Sequence, residues 1–397
     1  MNMKTMLAAL QGITAYKDIL NQPVMECALR LTTRTVYGDG LGGLEAYTDL
    51  FYQLRVAGHP GLGSYLGEAL RWSEGPYPKL MEQGGRDPAL EQAARLDISA
   101  FELLASVDCD KWLAQLGRLL DSDYQGVLTS LPRWQRGVPF SFDELTKSYQ
   151  QEGAGRFARY RAFVWDNGEL IPVAHPDCPD TSELLGYGDQ RSEVERNTRA
   201  LVEGRYVNNV LLYGESGTGK SATVKNLLTL PGMEELRIIE ADKANLGGLP
   251  ALIRTLDGRR QKFIVFIDDL TFDRDDPTYS VLKTILEGGV ERRPQNVAVY
   301  ATSNRRHLVR QTISERAGDE MDRSETIREK TSLADRFGVR ILFQGLNKAE
   351  FLALVDMLSH QHGVGLPQEE LHRQAVAWER FHGAQTPRTA LQFVLSL

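Results

Sequence analysis

The run Gly214-Glu215-Ser216-Gly217-Thr218-Gly219-Lys220-Ser221 satisfies the pattern G-x-x-x-x-G-K-[ST] at every fixed position. Its glycines let the chain wrap tightly, so consecutive backbone N–H groups and the start of a following helix can point at phosphate oxygens. Lys220 adds a point positive charge for the β- and γ-phosphates, and the Ser221 hydroxyl can complete a Mg²⁺ shell. The context suits the pattern. An apolar run, Val210 to Tyr213, precedes it as a strand, and Ser221 to Leu228 follows with helical spacing. A chance glycine turn has no reason to carry both neighbours.

A second group is Phe263-Ile264-Val265-Phe266-Ile267-Asp268-Asp269, an apolar strand that ends in two carboxylates. A strand buried on both faces delivers its last side chains to the carboxyl edge of the sheet, where the phosphate loop also opens. There Asp268 would hold Mg²⁺, directly or through water, and Asp269 would orient or polarise an attacking water. Solvated acids at a strand end are the plainer alternative. A phosphate loop needs such an acidic partner, which weighs against it.

Other clusters read more plainly. Cys27, Cys109 and Cys178 are far apart and form no C-x-x-C, so neither a disulfide framework nor a cysteine metal site is expected. His360 and His362 lack further ligands at metal spacing, and the acidic run Asp273 to Asp276 reads as a solvated loop. Arg305, Arg306, His307 and Arg310 form the densest basic cluster, which could touch a DNA backbone or a neighbouring subunit; a solvated helix face is the favoured reading. The formal charge of -7 gives no sign of constitutive nucleic-acid binding.

The elements that must position these groups follow from pattern. With 397 residues, 42% hydrophobic and 25% charged, the chain has material for two or three globular domains. No apolar run approaches the ~20 residues that span a bilayer, so no membrane partner is expected. The start is too weak for a secretory signal, and a cytoplasmic setting is expected. Residues 1–159 read as a mainly helical domain of unassigned role. Apolar residues there recur at helical spacing, as in Leu44-Tyr47-Leu50-Phe51-Leu54, and the aromatic residues read as core. Residues 160–180 read as a β-hairpin, turning at Asp166-Asn167-Gly168, followed by a proline-rich linker. From 181 to 345, short apolar runs alternate with helices, predicting an α/β core whose mostly parallel sheet is flanked by helices. Residues 346–397 predict a small helical lid.

Taken together, the two motifs resemble the Walker A and Walker B elements of the AAA+ ATPases, a P-loop superfamily. Val297 to Asn304 resembles the first-sensor strand of that family, which implies that Asn304 hydrogen-bonds the water or γ-phosphate. Ser332-Leu333-Ala334-Asp335-Arg336-Phe337-Gly338 resembles the segment bearing the arginine finger, so Arg336 would complete a neighbour's site in a homo-oligomer, a ring or partial ring. Gly383 to Arg388 resembles the second-sensor motif, with Arg388 over the nucleotide; Pro387, opening a helix there, suits that role. Leu184-Leu185-Gly186-Tyr187 and Gln190 fall where the family places its adenine pocket. More narrowly, Asn208 to Gly214, Leu282-Lys283 with Leu286-Glu287-Gly288-Gly289, and Ala301 to His307 resemble a bacterial AAA+ family known mainly as a domain of unknown function. The likeness spans about Tyr160 to Leu397.

The resemblance implies ATP and Mg²⁺ as cofactors and an ATPase that couples nucleotide state to conformational change on an unknown protein client. One departure matters. The second Walker B acid is usually Glu, and Asp269 holds its carboxylate about one methylene further back, so slow or partner-stimulated hydrolysis is expected. Two rivals stay open: an ATP-gated scaffold or loader that hydrolyses little, and a P-loop kinase of a small molecule.

Overall fold

The computed structural model describes residues 3–137, 140–272, 278–287, 293–304 and 333–397, and the chain divides into two units, Met1–Arg159 and Tyr160–Leu397. The acidic run at 273–276, Gly288-Gly289 and the basic cluster from Arg305 to Arg310 lie outside the described residues.

Within the first unit every regular element is a helix among the described residues. Local chemistry starts several of them: Pro23 and Pro88 open helices at positions where no N–H partner is needed, and the carboxylates of Asp39, Asp87 and Asp108 cap free N–H groups. The helical stripes close around Tyr16, Tyr47, Tyr77, Phe101, Trp112 and Tyr149, all fully buried, so these aromatic residues are core. Burying each contributes roughly 2–3 kcal/mol. Asp97 is buried among them at 3% exposure and accepts backbone N–H groups from Thr14, Ala15 and Tyr16. Burial pushes its carboxyl above the usual range, against the pull of those three bonds.

The second unit is built on one sheet. Its strands are β1 (Ala162–Asp166), β2 (Glu169–Val173), β3 (Val210–Gly214), β4 (Leu236–Ala241), β5 (Lys262–Ile267), β6 (Val297–Ser303) and β7 (Val339–Phe343). They lie in the order β2-β1-β4-β5-β6-β3-β7, and among the described residues every pairing is parallel except that of β1 with β2. Parallel strands need helical crossovers and coverage on both faces. Accordingly Val210, Leu212, Ile264, Phe266, Ala298 and Tyr300 join Val194, Leu201 and Val224 from two helices in one apolar cluster. The alternate residues Leu211, Phe263, Val265, Val299 and Ala301 are buried as well, so the other face is also covered. A mostly parallel sheet covered on both faces, with the phosphate-loop strand inside it and a helical piece appended, is the α/β architecture expected from the sequence.

The hairpin read from the sequence within 160–180 is present as β1 and β2, and it also joins the sheet. Phe163 and Trp165 alternate onto one face and are buried, so β1 covers core and pairs with β4 as part of the sheet. Asn167 and Gly168 both have positive φ, at 48° and 86°, which is the two-residue turn whose twist matches the flanking strands. Beyond β7, the helix Lys348–Gln361 opens with a reciprocal Asn347/Glu350 capping box. With Gln368–His382 and Pro387–Leu395 it closes a separate small core that includes Phe351, Val355, Leu358 and Phe393.

Candidate nucleotide-binding site

Because β3, β5, β6 and β7 run parallel, their carboxyl ends meet at one edge, and a cleft of about 450 Å³ opens there. It is lined by Ser216 to Ser221 of the phosphate loop, by Asp268, Asp269, Thr302 and Asn304, and by Leu184, Tyr187, Arg388 and Leu391. That volume falls in the range of small-molecule sites.

The loop is held from behind. Gly214 has φ 139°, and a side chain there would meet the Phe343 carbonyl at 2.0 Å. The Glu215 N–H donates to that carbonyl at 3.1 Å, tying the loop to the end of β7. Gly219, at φ 88°, then starts the helix Lys220–Asn226, presenting its N-terminus to the cleft. The Lys220 ammonium, 6% exposed, donates to the carbonyls of Gly214 (3.1 Å) and Glu215 (2.6 Å) and to Asn304 Oδ1 (3.0 Å). Burial pushes its pKa below the ordinary lysine value; Asp269 and Asp268 pull it back up, and Arg388 pushes it down.

The carboxylates lie beside this lysine. Ser221 Oγ donates to Asp268 Oδ1 at 2.6 Å, and Thr302 Oγ1 donates to the same oxygen. Asn304 bridges the site: its Oδ1 accepts from Lys220, and its Nδ2 donates to Asp269 Oδ1 at 2.8 Å. Asp269 has φ 48°, a left-handed backbone that side-chain residues seldom adopt. Among the described residues no group of three or more His, Cys, Asp and Glu side chains gathers as a protein cage for a metal. The Ser221–Asp268 pair instead offers hard oxygen donors beside a phosphate loop. That set fits Mg²⁺, which completes its shell from phosphate and water.

The other wall is apolar and aromatic. Tyr187, also left-handed at φ 54°, packs its ring at 5.1 Å on Phe343 and donates its hydroxyl to the Gln344 carbonyl at 2.6 Å. Burial pushes its phenol up to about 12. Arg191 donates to the Leu184 carbonyl at 2.6 Å, bracing the segment before Tyr187, and burial lowers its pKa. The C-terminal helices reach the loop directly: the Arg388 N–H donates to the Gly217 carbonyl at 3.3 Å.

The family described as protein of unknown function (DUF815) matches residues 158–397, more than half of the chain. The chain belongs to that family. No curated protein matches this DUF815 member. Solved structures similar to it include the Thermotoga maritima RuvB Holliday junction branch migration motor, at 16% identity and TM-score 0.35, with 55% of this chain and 63% of that chain covered. Two mutants of Thermotoga maritima RuvB match at 16% and 15% identity with TM-score 0.36, each covering 55% of this chain and 64% of that chain. The DUF815 chain therefore spans less than two thirds of the length of those structures.

Several residues singled out from the DUF815 sequence do not face the cleft. Gly214 and Glu215 are turned away: one lies under Phe343, and the Glu215 carboxylate rests beside Gly345, where a side chain would meet it at 2.3 Å. Gly186, at φ 68°, shapes the turn before Tyr187 without lining the wall, and Gln190 is turned to the Leu342 carbonyl at 3.4 Å. Arg336 precedes the amino end of β7, and β7 runs parallel to β3, so Arg336 lies at the sheet edge opposite the phosphate loop. It has no place in its own chain's cleft. Thr302, Arg191 and Phe343 line the cleft but carried no signal as single residues. For Thr302 the signal is register, since Ile267 pairs with Ala301 and thereby brings Asp268 level with Thr302.

Proposed function

We propose that this protein is an AAA+ ATPase that binds Mg-ATP and couples slow or partner-stimulated hydrolysis to movement of its C-terminal helices, acting on a protein client. The observation that carries the reading is the pair of contacts on one loop: Ser221 on Asp268, and Lys220 linked through Asn304 to Asp269. Backbone N–H groups of Gly217 to Lys220, the helix N-terminus and the Lys220 ammonium would hold the phosphates. Bound Mg²⁺, held by Ser221 and Asp268, would neutralise charge that develops on the phosphates. Asp269 would orient the attacking water, and Asn304 would exchange its present partners for that water or the γ-phosphate. Leu184, Tyr187 and Leu391 would receive the base.

Arg388 would read the nucleotide from the C-terminal helices, whose N-terminal turn rests on Gly217. Arg336, remote from its own cleft, suits service to a neighbour's cleft in a homo-oligomer. The first unit would bind the client. No helix among the described residues is long and apolar enough to cross a membrane. The cytoplasm is our proposed setting, in keeping with three unpaired cysteines.

A second reading, an ATP-gated scaffold, has one observation in its favour: Asp269 is occupied by Asn304 and lacks the length of Glu. Titration with a fluorescent ATP analogue, together with phosphate release, tests both. Saturable Mg-dependent binding that Lys220→Ala abolishes is expected. Absence of such binding overturns the proposal, and binding without any turnover favours the scaffold.

A further inference from the structure

We infer that Thr302 is a positioning residue for both carboxylates: its buried hydroxyl directs Asp268 and holds the turn that aims Asp269. The inference rests on the Mg-ATP reading above. Thr302 is 2% exposed at the end of β6. A hydroxyl has one proton to give and lone pairs to receive. Here the proton goes to Asp268 Oδ1, and the oxygen accepts the Asp269 N–H at 2.9 Å. Two further donors reach the same Asp268 oxygen, Ser221 Oγ at 2.6 Å and the Asp269 N–H at 3.2 Å. With Oδ1 engaged three times, Oδ2 is the carboxylate oxygen left for a cation or its bound water.

The turn at Asp269 depends on the same residue. A left-handed aspartate persists only where its surroundings over-determine it. Thr302 grips it on both sides: the hydroxyl takes the Asp269 N–H, and the Thr302 carbonyl takes the Leu270 N–H at 2.7 Å. Without the hydroxyl, the Asp269 N–H keeps only its longer contact with Asp268. A glutamate at this position could correct a misdirected backbone with its extra methylene. Asp269 has less reach, so its aim is set by the turn, and the turn is held by Thr302.

Thr302→Val removes the hydroxyl with little change of shape, whereas Thr302→Ser retains it. The full-length proteins are compared in kcat and KM, in ATP affinity with and without Mg²⁺, and in amide exchange across 268–270 without nucleotide. For Thr302→Val we expect kcat to fall about tenfold or more and exchange to quicken about tenfold. Its ATP affinity without Mg²⁺ should stay within about twofold of wild type, and the gain in affinity from Mg²⁺ should shrink. Thr302→Ser should stay within about threefold of wild type throughout. Equal losses in both variants, a parallel loss of metal-free binding, or unchanged exchange in Thr302→Val overturns the inference. Absence of turnover in the wild type overturns hydrolysis alone, because exchange and Mg²⁺ dependence still decide the part played by Thr302.

Discussion

Replacing Gly217 with alanine tests whether the C-terminal helices lean on the phosphate loop. Gly217 has φ 82°, where an added side chain costs about 1–2 kcal/mol through its own backbone. The new Cβ would also stand 3.0 Å from Thr386 Oγ1 and 3.2 Å from Arg388 Cβ. Thr386 cannot retreat freely, being 2% exposed and capping the Thr389 N–H at 3.3 Å. Overpacking of this kind adds about 1–3 kcal/mol. Gly219 supplies the control, since its φ is 88° and a Cβ there meets nothing within 4 Å. Gly219→Ala should therefore carry the backbone cost alone, and Gly217→Ala roughly twice as much.

For a unit of this size 1 kcal/mol moves the melting temperature by about 2–4 °C. Calorimetry of the full chain without nucleotide should show Gly217→Ala melting about 3 °C or more below Gly219→Ala. The transition that Gly219→Ala shifts identifies the second unit. Amide exchange at Arg388, whose N–H donates to the Gly217 carbonyl, should quicken only in Gly217→Ala. Equal melting of the two variants, with Arg388 unchanged, would refute the reasoning.

Three further outcomes are expected. Burial lowers the free-state pKa of Lys220 from the ordinary 10.5, and phosphate selects the charged form. Affinity for an ATP analogue should therefore be full below that lowered value and fall as pH rises through it, by at most about tenfold per pH unit. A Lys220→Arg variant that binds but shows the same decline would contradict this. Arg336→Ala should lower turnover about a thousandfold while each subunit still binds ATP, and mixing it with Lys220→Ala should restore some activity. Unchanged turnover in Arg336→Ala would remove the role in trans. Asp97→Ala strands the N–H groups of Thr14, Ala15 and Tyr16, and urea titration should show a loss of about 3–5 kcal/mol in the first unit; a loss under 1 kcal/mol would mean that water reaches those groups.

How far the sequence speaks depends on whether the cause is local. The loop from Gly214 to Ser221 was legible because an apolar strand, a glycine run and a helix follow one another directly. Asp268 and Asp269 were legible because burial on both faces turns β5 into an unbroken apolar run that must end somewhere. Asn167-Gly168 announced a hairpin, yet nothing in the residues said that β1 would pair with β4. Pairing between distant strands is set by what remains to be covered, not by the strand's own residues. The same limit hid Thr302, whose part follows from β5 lying in register with β6. Tyr187 at positive φ was hidden for a different reason, since tyrosine gives no sign of a left-handed backbone; aspartate adopts it more often than most residues, but that leaning does not single out Asp269. The direction of Gly214 and Glu215, inside a motif matched in full, needed the end of β7 to be seen.

One edge strand of the sheet, β2, bears on how the protein behaves in concentrated solution. In the β1–β2 hairpin, the two-residue turn makes Asp166 and Glu169 the closing bonded pair. Alternation then puts Pro172 at a position whose nitrogen faces away from β1. That is where a fresh strand from another molecule would seek a donor, and proline has none to offer. Pro172 is thus a guard against polymerisation by strand addition. It lets the sheet of the described residues end at β2 without inviting a further strand.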